Sequence, residues 1–115
     1  MPPRIMQLNA AVLGTANAAG GVIVELGPSS GKGPTTWHVD GVIIGNGRAG
    51  LAPIPRVQVY VDTVAASNLQ GQSYDGSFAQ GKCDITLVRG QKLIAVWTGG
   101  QAGDQCAFTV TGTKW

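Results

Sequence analysis

The chain has 115 residues, a formal net charge of +2, 12% charged residues, 43% hydrophobic residues and 18 glycines. That length suits one domain able to bury a core without staples, and so little charge with so many β-branched residues excludes a disordered chain. The lysines and arginines are scattered rather than clustered, which argues against nucleic acid as a partner, and no apolar run approaches the ~18 residues of a membrane span. The low charge also suits a surface covered by neighbouring subunits.

Residues 1–20 read as an N-terminal arm. Two prolines open it, and Ala10 to Gly21 is mostly small residues. Arg4, the apolar stretch to Leu13 and Ala16-Asn17-Ala18 imitate a secretory signal. Gln7 and Asn9 interrupt it, and the sequence still begins at Met1, so no cleavage is expected. Ile5, Met6, Leu8 and Val12 carry almost no charge beside them, so the arm is expected to lie against a neighbouring subunit.

Val22–Leu26 is a short β-branched strand ended by the loop GPSSGKGP. Thr35–Ile44 follows, with Trp37, Val39 and Ile43 expected on one face and His38, Asp40, Val42 and Ile44 on the other. Gly41 in mid-strand predicts a bulge. After the loop GNGRAGLAPIP, Arg56–Thr63 alternates cleanly, Val57, Val59 and Val61 against Gln58, Tyr60 and Asp62. A long connection, Val64 to Lys82, carries turn chemistry at Asp75-Gly76 and Gln80-Gly81, with Tyr74 and Phe78 on one face. Ile85 and Leu87 begin the next core face, and Arg89-Gly90 turns into Lys92–Thr98. That segment is apolar on both sides and is expected to be central. The turn GGQAGD leads to a last strand in which Cys106, Phe108 and Val110 alternate with Ala107, Thr109 and Thr111.

These segments predict an all-β fold, a two-sheet antiparallel β-sandwich of seven or eight strands over residues 21–115, immunoglobulin-like or jelly-roll in topology. Its expected core is Val57, Val59, Val61, Ile85, Leu87, Leu93, Trp97, Phe108 and Val110.

No catalytic constellation accompanies the strands. GPSSGKG has three residues, not four, between its first glycine and Gly-Lys, and Gly33 replaces the Ser or Thr that holds magnesium. His38 is the only histidine, so a triad or histidine metal cluster has no second imidazole. The six carboxylates stand mostly at strand ends, where they serve turns. Cys83 and Cys106 are too few for a structural zinc site; they are either two buried thiols or one disulfide. Trp37, Trp97, Trp115 and Tyr74 raise a sugar-stacking reading, although Trp37 and Trp97 fall at apolar-face positions.

Across residues 20–115 the chain resembles small β-sandwich domains of virion proteins from tailed phages of actinobacteria. The residues that carry the likeness are Trp37, Val39 and Gly41, Tyr60, Tyr74–Gly76, Gly90-Gln91, Trp97–Gly100 and Gly112-Thr113. The resemblance implies a virion structural protein rather than an enzyme. It implies a minor tail or tail-tip component, with capsid decoration or a carbohydrate-binding module on the virion surface as alternatives. It further implies no cofactor, assembly in the host cytoplasm, and other virion proteins or further copies of the chain as partners. With the arm, it makes Ile5, Met6, Leu8, Val12, Tyr74 and Trp115 the candidate interaction residues.

Overall fold

The computed structural model describes residues 5–28, 35–46, 55–70, 74–75 and 78–115. Among the described residues eight strands are present: β1 (Met6–Thr15), β2 (Val22–Leu26), β3 (Trp37–Asn46), β4 (Arg56–Val61), β5 (Tyr74–Asp75), β6 (Phe78–Leu87), β7 (Leu93–Thr98) and β8 (Gln105–Lys114). The first sheet has the order β1-β8-β3-β6. The second runs β2-β7-β4, with the two-residue β5 at its edge. Every pairing is antiparallel. The protein is therefore an all-β, two-sheet antiparallel sandwich.

The pairing order also chooses between the two expected topologies. β1 lies beside β8, β2 beside β7, β3 beside β6 and β4 beside β5, and these pairs alternate between the two sheets. A ribbon of strands folded back on itself and rolled across two sheets is the jelly-roll arrangement.

Trp97, Phe108, Leu87, Leu93, Val57, Val59 and Val110 are almost wholly buried, and Ile85 is buried with them. Val61 is half-buried at the margin. β7 is central, between β2 and β4. Ile94 is buried even on the outer face, where Glu25 and Tyr60 stand opposite it in register.

Three expectations are corrected. The stretch read as a separate arm is, from Met6 to Thr15, strand β1, paired residue for residue with β8. Its inward Leu8 is buried in the core, so the sandwich begins there and not at residue 21. Small residues hid this strand, because close packing with β2 asks for them: a Cβ on Gly14 would sit 2.7 Å from Val24 Cγ1. The long connection is shorter than expected, because β6 already begins at Phe78.

The third correction concerns β3. Its register shifts between Val39 and Gly41, as the mid-strand glycine predicts, and the shift reverses the faces beyond it. Trp37 and Val39 point inward, but so do Val42 and Ile44, while Ile43 turns outward. Between the same inward rungs β8 supplies Thr111 alone, β3 supplies Asp40 and Gly41, and β6 supplies Lys82, Cys83 and Asp84. From β8 through β3 to β6 each strand is thus one residue longer here, which splays and twists that side of the sheet. Gly112 makes this possible. It sits opposite Val39 at φ 152°, and a Cβ there would lie 1.9 Å from the His38 carbonyl oxygen.

Candidate functional site

The outer face of the first sheet divides into a charged half and an uncharged half. The charged half lies over the bulge. His38 Nε2 stands 2.6 Å from Asp84 Oδ1, and Thr111 Oγ1 donates to Asp40 Oδ1 at 3.1 Å. Asp84 is 88% exposed on its side chain, so water screens this pair and it contributes little to stability. A shallow depression beside it is lined by Gly41, Ile43, Gln80, Lys82 and Thr111. Among the described residues no group of three or more His, Cys, Asp and Glu is placed to hold a metal ion.

The thiols offer no activated nucleophile. Burial raises the Cys83 pKa, with Asp40 and Asp84 adding to it. Burial with the Asp104 carboxylate pushes Cys106 to about 11. Both therefore stay protonated at neutral pH, whereas a reactive cysteine needs its thiolate. Both are unbridged; Cys83 Sγ faces the Val39 carbonyl oxygen at 3.4 Å, and Cys106 Sγ that of Asp104 at 3.8 Å.

The uncharged half is built by β1 and β8. Their outward residues pair as Gln7 with Thr113, Asn9 with Thr111, Ala11 with Thr109, Leu13 with Ala107 and Thr15 with Gln105. None carries a charge, and Leu13 is 70% exposed. Ile43 of β3 stands beside Thr109 and extends this surface. The alternation that builds it is visible in the sequence of β8, but not its neighbour, because the partner strand lies at the other end of the chain.

The expected interaction residues do not form one site. Ile5 and Met6 are exposed, at 67% and 36%. Leu8 is core, which removes it as a contact residue, and Val12 packs half-buried against that core. Tyr74 is half-buried, its ring 3.0 Å from where a Cβ on Gly81 would stand. Burial raises its hydroxyl pKa, with Cys83 adding to it. Trp115 is half-buried, and its backbone exchanges hydrogen bonds with Thr36, extending the β8–β3 ladder. Trp37 and Trp97 are buried, so neither offers a ring to a sugar.

Asp104 is a residue whose weight the sequence hides. It is 5% exposed, and its Oδ2 accepts from Gln101 N at 2.9 Å and from Asn46 Nδ2 at 3.2 Å. Its carbonyl oxygen accepts from Ala16 N. The carboxylate thus ties the β7–β8 loop to the end of β3, and the backbone ties that loop to the end of β1. The loop could not come so close without Gly20, at φ 79°, where a Cβ would lie 2.0 Å from the Gly100 carbonyl oxygen.

Set beside protein-family models, curated proteins and solved structures, the chain matches none of them.

Proposed function

We propose that this chain is a non-catalytic structural subunit of a bacteriophage virion, held in place by protein–protein contacts. The observation that carries the reading is the uncharged outer face of β1 and β8, ten outward residues without a lysine, arginine, aspartate or glutamate. Interfaces are depleted of charge at their centres, and a free surface of this size ordinarily carries some. The jelly-roll supports the reading only as a compatible scaffold, since capsid and lectin domains share it and fold does not fix function. The resemblance of residues 20–115 to virion proteins is what points to a phage as the particle. It favours a minor tail or tail-tip position, with capsid decoration as the alternative. A sugar-binding role has less support, because Trp37 and Trp97 are core residues.

Mass spectrometry of tails and capsids purified separately from the phage that encodes the chain tests this. The chain is expected in the tail fraction, and Thr109→Lys should fold normally yet fail to incorporate. Recovery in capsids would move the subunit to the alternative position. Absence from both would overturn the reading.

A further inference from the structure

Among the described residues the sandwich has four sheet edges, and three of them are guarded. β2 has five residues and presents Glu25, which pairs with Lys92 at 3.2 Å. β5 has two residues. β6 carries Lys82 and Asp84, both exposed, and the register shift that bends it. Short length, charge and bulges are the devices that keep an edge from pairing with another chain.

β1 has none of them. It runs for ten residues without a charge or a proline, and its register with β8 is unbroken. Among the described residues no strand pairs with its other side, so a long, regular row of backbone donors and acceptors faces outward.

We propose that β1 pairs antiparallel with β1 of a second copy of this chain, about a two-fold axis beside Asn9, joining the two first sheets into one. The register follows from the exposed apolar side chains. With Asn9 opposite Asn9, Ile5 faces Leu13 of the second copy and Met6 faces its Val12. Ile5 and Leu13 are among the most exposed large apolar residues of the described chain, at 67% and 70%, and this pairing covers both at each end of the new ladder. Opposed residues have the same parity, so every side chain stays on its own face of the sheet. Self-pairing sets like against like near the axis, where a charged residue would repel its own copy. Gln7, Asn9 and Ala11 carry no charge, and the Asn9 amide holds both a donor and an acceptor for its mate. The inference rests on the edge itself and stands whether or not the chain belongs to a particle.

Sedimentation of the full chain over rising concentration is the test. The mass should rise from 11.8 kDa towards twice that value. Asn9→Lys and Asn9→Glu should each remain monomeric with unchanged dichroism spectra, since Asn9 is exposed on the outer face. Mixing the two variants should restore the dimer, with opposite charges across the axis. In a Cys83→Ser background, Asn9→Cys should form a disulfide-linked dimer, because directly opposed Cα atoms lie about 4.5–5.5 Å apart, within disulfide reach. Ala11→Cys should not. A chain monomeric at every concentration would overturn the proposal, as would a dimer indifferent to Asn9→Lys. Preferential cross-linking through Ala11→Cys would overturn the register.

Discussion

The two edges of the first sheet, β1 and β6, have the same length and lie at opposite ends of one hydrogen-bonded array, yet their sequences solve opposite problems. β6 displays Lys82 and Asp84, and against β3 it carries an additional residue at the bulge. β1 is uncharged, regular and capped at each end by exposed apolar side chains. An edge written like β6 is guarded against pairing, while an edge written like β1 carries no such guard. The core beneath both is continuous, so the difference concerns association rather than stability.

Weakening that shared core should separate the two edges most strongly, and Phe108 is the place to do it. It is fully buried on β8, opposite Val12 of β1 and Ile44 of β3. Phe108→Ala should destabilise the fold by about 3–5 kcal/mol in urea titrations, a large share of a small domain's stability. Among the described residues β1 pairs with β8 alone, and Phe108 lies on β8, so the protection of β1 should be lost before that of β6. Simultaneous loss at both edges would show that β1 is anchored elsewhere.

Gly112→Ala acts on the hinge between the two sides. Its Cβ would collide with the His38 carbonyl oxygen, and the strained backbone adds about 1–3 kcal/mol. The expected signature is a shift in the amide resonances of Val39–Val42, with the β1–β8 ladder retained. Asp104→Ala leaves the Gln101 amide and the Asn46 side chain without that carboxylate, at a cost of about 1–3 kcal/mol. It should loosen the loop beside Thr15 and leave the far end of β6 unchanged.

The smallest effect on stability should come from removing the guard on β6. Lys82 and Asp84 are exposed, so replacing both with threonine should change stability by less than about 0.5 kcal/mol. The same change should promote self-association through β6, visible as light scattering at high concentration. A double variant as soluble as the parent would show that the bulge alone protects that edge.

Sequence reasoning reaches the second half of the chain well for a physical reason. Strands such as Arg56–Val61 and Leu93–Thr98 alternate or saturate with β-branched and aromatic residues, which fit a pleated, half-buried surface. The glycine at 41 is enough to foresee a bulge, but not its consequence. The phase change that turns Ile43 outward depends on how many residues β6 and β8 place opposite it. β1 is hidden because Ala10, Ala11 and Gly14 have little β-propensity of their own, and Gly14 is small to admit Val22 and Val24 of the facing sheet. The jelly-roll order is likewise not local, since it rests on pairs as distant as Met6 with Lys114. The uncharged half of the outer face shares that origin, being two halves of a surface written at opposite ends of the sequence.

Among the described residues β1 is a strand with one side filled by β8 and the other open. Amide hydrogen exchange, read residue by residue in dilute solution where the chain is monomeric, tests it most directly. Every second amide from Met6 to Thr15, those facing β8, should be protected, with the alternate amides exchanging quickly. Uniformly fast exchange along the segment would return it to a loose arm, and uniformly slow exchange in the monomer would mean that the chain already covers that edge itself.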